Sequence, residues 1–312
     1  MTEYSKGEMV MDVVELHRWT IDNFVRLVNE VGPDQWTAPT PCEDWDVRTL
    51  VNHVVGEARW TVPLMEGQTI AEVGDSLDGD LLGDDPAAAA TAAARAAKSA
   101  ANRPIDKVHL SYGEEDSSEY LRQLAADYLV HGWDLAAGLG TDARLDADAV
   151  NEVATWFAER EEMYRSSGAI ADRVEGFTEP ADVLIGAFGR DPRWSTANAT
   201  VARFGTAFDQ QDLEAVMALV TDDCVFESTS PSPDGARFEG AAAVRAEWEK
   251  LFAGTDDPRF ETEETVVLDN RAVVRWRYSW REASGERGHV RGVDVLRLRD
   301  GKVAEKLSYV KG

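Results

Sequence analysis

Asp127 and His131 stand four residues apart in Asp127-Tyr-Leu-Val-His131-Gly-Trp-Asp134-Leu-Ala136. On a helix that spacing points both side chains the same way. Leu121, Leu124, Tyr128 and Leu135 form an apolar stripe beside them, and Asp134 extends the polar line by one turn. A second imidazole, His53, lies far upstream in Val51-Asn52-His53-Val54-Val55-Gly56-Glu57. Zinc and its neighbours need ligand lone pairs converging at about 2.0–2.2 Å, commonly from His nitrogen and carboxylate oxygen, with one position open for chemistry. Two ligands at i and i+4 on one helix and a third from a facing helix supply that arrangement in a bundle. His53, Asp127 and His131 are therefore candidate metal ligands, and Asp134 or Glu57 could orient an imidazole through its other nitrogen. The competing reading is an ordinary Asp–His pair without metal. It loses ground because both histidines border apolar faces, where an uncoordinated ring needs other partners.

These residues require helices to carry them. Apolar positions at Val13, Val14, Leu16, Ile21, Phe24, Val25, Leu27 and Val28 predict a first helix within 11–31, stopped by Gly32-Pro33. Asp46 is placed to cap a second helix carrying Val47, Leu50, Val51, Val54 and Ala58, with His53 at its apolar edge. Residues 66–86 read as an acidic, glycine-rich loop. Pro86 then opens an alanine-dominated helix to about Ala101. After a connector at 103–116, Ser118 is the expected cap of the helix bearing Asp127 and His131, with Gly138 and Gly140 ending it. One more helix is expected from about Ala147 to Tyr164. Helices joined by loops make this half a bundle.

The pattern changes after Gly189-Arg-Asp-Pro-Arg-Trp194. Helices are expected at 196–210, 212–219 and 241–252, with a strand at 224–228 and three longer strands closing the chain. In 271–281, Ala272, Val274, Trp276, Tyr278 and Trp280 alternate with arginines, a period of two. Residues 288–299 follow, and Asp300-Gly301 turns the chain into 302–309. Two domains result, 1–194 all-α and 195–312 α+β. On the strand at 288–299, Val290, Gly292, Asp294, Leu296 and Leu298 share a face. Asp294 is thus expected as a carboxylate among apolar neighbours, its pKa raised by burial and usable as a general acid or base. The alternative is a carboxylate bonded for structural reasons. Trp276, Tyr278 and Trp280 are the expected pocket wall, and Arg275 and Arg277 the expected partners of Glu261, Glu263 or Glu264 across strands.

Composition narrows the function. With 32 Lys and Arg against 58 Asp and Glu, the formal net charge is −26. Such a chain repels phosphate, which excludes nucleic-acid and anionic-membrane partners as the expected ones. No apolar run approaches a membrane span, and the first residues lack the basic-then-apolar pattern of a signal peptide. Two cysteines, Cys42 and Cys224, imply reduced thiols and a cytoplasmic chain without a disulfide framework. Cys42 has no His near it in sequence and precedes a helix cap, so it reads as structural and not as a nucleophile.

The motifs Thr40-Pro41-Cys42-Glu43-Asp44-Trp45-Asp46-Val47-Arg48-Thr49-Leu50-Val51-Asn52-His53, His131-Gly132-Trp133-Asp134-Leu135-Ala136 and Gly189-Arg190-Asp191-Pro192 carry a resemblance. Across roughly 10–194 the chain resembles the mycothiol-dependent maleylpyruvate isomerase-like, DinB-like metal-binding proteins of actinobacteria. That resemblance implies a DinB-like four-helix bundle. It also implies a divalent metal, usually zinc, bound by a His of the second helix and a carboxylate-x-x-x-His pair, here His53, Asp127 and His131. The isomerase has Glu where this chain has Asp127; the shorter side chain either shifts the metal or leaves Asp127 outside its direct ligands. The resemblance further implies that the open metal position takes a low-molecular-weight thiol.

The C-terminal half, over about 197–312, resembles the SnoaL-like, nuclear transport factor 2-like superfamily. The resemblance rests on Thr206-Ala-Phe-Asp-Gln-Gln-Asp-Leu-Glu214, Thr221-Asp-Asp-Cys-Val-Phe226, Phe238-Glu-Gly-Ala-Ala-Ala-Val244 and Arg291-Gly-Val-Asp294 through Glu305. It implies an α+β cone around an apolar cavity and a homodimer formed through the sheet. Together the halves read as a metal-dependent enzyme that activates a thiol such as mycothiol, as a transferase or isomerase acting on a small organic electrophile, with a fused substrate-binding cone. Two alternatives stand beside it. One places the chemistry in the cone, as a cyclase or isomerase, with the bundle as scaffold; the other is a non-catalytic small-molecule binder.

Overall fold

The computed structural model describes residues 11–254, 257–281 and 285–311. The N-terminal residues judged against a signal peptide lie outside the described residues. Contacts divide the chain into two compact units that meet between Trp194 and Ser195. Among the described residues, no helix is long and apolar enough to cross a membrane.

The first unit is built on four helices: α1 (Val13–Val28), α2 (Val47–Leu64), α4 (Pro86–Ala100) and α5 (Ser117–Leu139). α1 packs on α4 and α5, and α2 packs on the same two helices. Their shared core runs from Ile21, Phe24 and Leu27 through Leu50, Val51 and Val54 to Leu121, Leu124 and Leu135. Ala90, Ala93, Ala94 and Ala97 turn the small-residue face of α4 inward, where short side chains let the backbones approach closely. The remaining helices are α3 (Ile70–Val73), α6 (Ala147–Ala158), α7 (Glu161–Ser166) and α8 (Pro180–Ala187). A second apolar cluster joins α6 and α8 to the far face of α5 through Leu129, Val153, Phe157 and Ile185.

Several local expectations need correction. The stretch at 66–86 contains α3, opened by a reciprocal capping box between Thr69 and Glu72. The connector at 103–116 folds as a hairpin of β1 (Lys107–Leu110) and β2 (Gly113–Asp116), strands too short to show a period. α5 begins one residue before Ser118, and its cap residue Asp116 makes no side-chain capping bond. Gly140 ends α5 in the left-handed conformation, φ 68°, but Gly138 lies inside the helix. A Cβ there would come within 3.1 Å of the Pro39 carbonyl oxygen, so glycine lets the loop before α2 lie against α5. The helix expected over 147–164 breaks at Glu159 and Arg160.

The second unit is α+β, with α9 (Thr196–Asp209), α10 (Leu213–Ala218) and α11 (Ala241–Ala253) packed on a six-stranded sheet. The strands are β3 (Val220–Glu227), β4 (Arg237–Glu239), β5 (Arg259–Leu268), β6 (Arg271–Arg281), β7 (Arg287–Arg299) and β8 (Lys302–Val310). Their order is β4-β3-β8-β7-β6-β5, antiparallel except for β3 against β8. Register shifts in the β3–β8, β5–β6 and β7–β8 pairs are the irregularities that bend a sheet around a core. That core gathers Phe204, Phe208, Val216, Phe226, Trp248 and Leu296. Strand β5 has no readable alternation because it is an edge strand, exposed along most of its length. Its glutamates meet the arginines of β6: Glu264 bonds Arg275 at 2.9 Å, and Glu261 lies 3.6 Å from Arg277.

One buried group marks the acid limit of the first unit. His17 on α1 is fully enclosed beside the Tyr128 ring, and neither ring nitrogen has a partner. Burial pushes its pKa down to about 4 from 6.5. Between those values the unfolded chain takes up a proton that the folded chain refuses, so stability falls as pH drops through the window. The full difference is worth about 3 kcal/mol. A His17→Phe variant, followed by urea unfolding with chelator present, should lose less stability than the parent between pH 6.5 and 4. Equal losses in the two proteins would remove His17 as the cause.

Candidate metal centre

The turn before α2 sets up one side of the site. Thr40 Oγ1 donates to the Trp45 carbonyl at 2.9 Å and accepts from the Cys42 amide at 3.2 Å. Asp44 takes a left-handed backbone, φ 69°, and Asp46 then caps α2 by accepting from the Thr49 amide at 2.8 Å. Val47, Leu50, Val51 and Val54 are buried, which fixes the rotation of α2 and leaves His53 at the edge of the apolar face. On α5, burial of Leu124, Tyr128 and Leu135 likewise turns Asp127 and His131 toward α2.

The structure brings the three expected ligands together. Donor atoms of His53, Asp127 and His131 all lie within 4.8 Å of one another. His131 Nε2 is 3.4 Å from Asp127 Oδ1, and His53 Nε2 is 3.7 Å from Asp127 Oδ2. Two atoms each about 2.1 Å from a tetrahedral cation would stand about 3.4 Å apart. The observed separations are thus longer than a good hydrogen bond and close to the spacing of ligands around one ion. Asp127 Oδ2 is itself buried without a hydrogen-bond partner, an orphaned acceptor that a cation would satisfy. The shorter Asp127 side chain therefore reaches the cluster.

Asp134 takes the orienting role. Its Oδ2 lies 3.0 Å from His131 Nδ1, so an Nδ1–H donating there leaves the Nε2 lone pair facing Asp127. The Asp134 carboxylate is completely enclosed and also accepts from Arg190, at 3.3 Å through Nε and 3.1 Å through Nη2. Arg190 is held in turn by the Phe188 carbonyl at 3.0 Å. Cys42 Sγ donates to Asp134 Oδ2 at 3.2 Å, with His131 Nδ1 3.8 Å away. The expectation that Cys42 has no histidine near it holds only along the chain; the fold brings it 89 residues across to His131. Trp45 lies over both imidazoles, with centroids 4.9 Å from His53 and 5.7 Å from His131.

Electrostatics bind the cluster together. Burial works against the Asp127 charge, but the neighbouring imidazoles outweigh it and hold the carboxyl well below the usual carboxylate range. His131 is the reciprocal case. Burial would lower its pKa, yet Asp127, Asp134 and Cys42 hold it well above the ordinary imidazole value. Asp134 is also held low against burial, by His131 and Arg190. Burial and the Asp127 charge raise Glu57, one turn beyond His53 on α2.

The second unit holds a cavity of about 390 Å³ whose wall includes Phe204, Phe208, Phe260, Trp276, Leu296, Asp294 and Lys306. Two expectations fail here. Tyr278 and Trp280 are not among the lining residues; the Tyr278 ring lies 4.5 Å from Phe260 and 5.6 Å from Trp280, so these aromatics pack on each other. Asp294 faces inward and is buried, but not among apolar groups alone. Lys306 Nζ is 2.7 Å from its Oδ2, and Ser308 Oγ donates to its Oδ1 at 2.7 Å. Both carboxylate oxygens of Asp294 are thus already engaged, the alternative of a carboxylate bonded for structural reasons. Sequence reasoning missed Lys306, whose signal is its alternation with Ala304 and Ser308 on β8. It missed the role of Arg190 too, since no local pattern ties that residue to Asp134.

Comparison with known proteins agrees with this division. A family model described as the mycothiol maleylpyruvate isomerase N-terminal domain matches residues 18–136, and one described as a SnoaL-like domain matches 201–306. The "Uncharacterized protein Rv0738" of Mycobacterium tuberculosis H37Rv is 31% identical over 191 residues, covering 59% of this chain and 100% of that protein. Among solved structures, an NTF2-like protein of unknown function from Mesorhizobium loti is 38% identical, covering 38% of this chain and 92% of that one at a TM-score of 0.34. Another, from Burkholderia pseudomallei, is 22% identical with the same coverages and TM-score. The chain belongs to the family of mycothiol maleylpyruvate isomerase-like proteins through its helical unit, and its second unit is a SnoaL-like domain.

Proposed function

We propose that the protein is a metal-dependent enzyme that activates a low-molecular-weight thiol of the mycothiol type, for S-transfer to or isomerisation of a small organic electrophile bound with the help of the SnoaL-like unit. The observation that carries this reading is the meeting of His53, Asp127 and His131 around the unpartnered Asp127 oxygen. Two imidazoles and one carboxylate suit zinc, with a position left for an external ligand. A bound divalent cation lowers the pKa of a coordinated thiol and supplies a thiolate at neutral pH.

The protein's own groups do the rest. Asp134 fixes the tautomer and orientation of His131, and Arg190 keeps Asp134 ionised and in place. Trp45 packs its ring against the two imidazoles. The reading with all chemistry in the second cavity is less well supported, because Lys306 and Ser308 already engage Asp294.

Metal analysis of protein purified without added metal is expected to give about one zinc per chain. His53→Ala should remove most of it while helical content by circular dichroism stays unchanged. A parent protein free of metal, or a His53→Ala variant with full occupancy, would end the proposal. Mycothiol consumption with an electrophile panel should follow metal content across these samples.

Asp134→Asn touches no cation and is expected to weaken zinc binding about 10- to 100-fold through the loosened His131. Competition with a chromophoric chelator measures this. Unchanged affinity would make Asp134 a packing group only. Zinc affinity should also rise with pH across neutrality. Uptake must displace the proton that Asp127 and Asp134 help His131 retain, so log K should climb about one unit per pH unit for each proton released.

A further inference from the structure

A cleft of about 880 Å³ opens in the helical unit where the β1–β2 hairpin, the first turns of α5 and the corner between α6 and α7 meet. Its lining reaches Gln123, one turn of α5 before Asp127, but includes none of the candidate metal ligands. The hairpin and the α6–α7 break that flank it are both features that local patterning did not anticipate. Two phenol rings line the space, and both are held. Gln123 Nε2 donates to the Tyr112 oxygen at 3.0 Å, which steadies a ring that is otherwise 65% exposed. Tyr164 packs edge-on against Phe157, with centroids 5.8 Å apart. Met163 adds an exposed, polarisable side chain between the walls and solvent.

Charge in the cleft is unbalanced in one direction. Glu115, Asp116, Glu119 and Glu159 face a single cation among the described lining residues, Arg160. That guanidinium is committed to Glu119, at 2.7 Å through Nε and 3.0 Å through Nη2, and reaches Glu159 only at 3.6 Å. Asp116 pairs with Lys107 at 2.8 Å. A negative surplus remains, centred on Glu115 and Glu159. The phenols register it. Burial, then the charges of Glu115 and Glu119, raise the Tyr112 pKa; burial, with Tyr112 and Glu119, pushes Tyr164 up to about 12. Both rings therefore stay neutral at physiological pH and offer their π faces. An anion is repelled from such a space, whereas a cation is drawn by the carboxylates and by the rings together.

We infer that this cleft binds a small organic ammonium ion, an alkylated amine whose charge is met by Glu115 and Glu159 and whose carbon groups pack on Tyr112 and Tyr164. Carboxylates alone would be a solvated rim. The enclosed volume and the two anchored phenols turn that rim into a site, and the volume suits one small molecule. The site goes beyond the metal reading and does not depend on it.

The test is calorimetric titration of the full chain with three probes of one shape: choline, its uncharged carbon isostere 3,3-dimethylbutan-1-ol, and the anion 3,3-dimethylbutanoate. Choline is expected to bind about tenfold tighter than the alcohol, with the anion weakest. Added salt should shrink that lead. The double variant Glu115→Gln/Glu159→Gln and the single variant Tyr112→Leu should each cut choline's lead severalfold and leave the alcohol unchanged. Circular dichroism checks folding, and if one variant does not fold the other decides. A His53→Ala chain should keep the parent's ranking, which separates this site from the metal centre. The inference falls if the alcohol matches choline, if the anion leads, if no probe binds, or if choline keeps its full lead in the folded variants. None of these outcomes bears on the metal reading.

Discussion

The bundle carries a polar cluster at the seam between α2 and α5, and its geometry is constrained by the need to satisfy Asp127. A carboxylate with one orphaned oxygen, flanked by imidazoles at 3.4 and 3.7 Å, is costly unless something positive is shared among them. Around that constraint the neighbouring segments make sense. The loop before α2 must approach α5 closely enough to deliver Trp45 and Cys42, and Gly138 provides the clearance. The α8–α9 connection must return to the same place to bring Arg190 against Asp134.

Behind the cluster, the enclosed Asp134 joins segments that are far apart in sequence. Residues 42, 131, 134 and 190 come from the pre-α2 loop, from α5 and from the end of the first unit. A buried carboxylate tolerates enclosure only when paired and hydrogen-bonded, and this one has a two-nitrogen contact with Arg190, an imidazole and a thiol. Removing one partner would strand the others. The same side chains that orient His131 thereby close the helical unit at its C-terminal end.

The two units handle buried charge differently. In the bundle, a surplus of ligating groups converges on one point. In the SnoaL-like unit, the buried carboxylate of Asp294 is instead neutralised by the buried ammonium of Lys306. The first arrangement leaves ligating groups free to share a cation, and the second closes its charges into a buried ion pair.

Much of this was legible before the chain was folded. The i, i+4 spacing of Asp127 and His131, the capping position of Asp46 and the period-two alternation of β6 and β7 are local, and local sequence determines them because helix and strand geometry repeat along the chain. The inward face of Asp294 was readable for the same reason. Short or edge elements such as β1, β2, β4 and β5 were not, since they bury too little to impose a pattern. Tertiary structure alone decided the partners: Cys42 beside His131, Arg190 on Asp134, Lys306 against Asp294, and Tyr278 packed between Phe260 and Trp280. Those pairings depend on how helices rotate and where strands shift register, and no spacing along one segment encodes the side chain that another will bring.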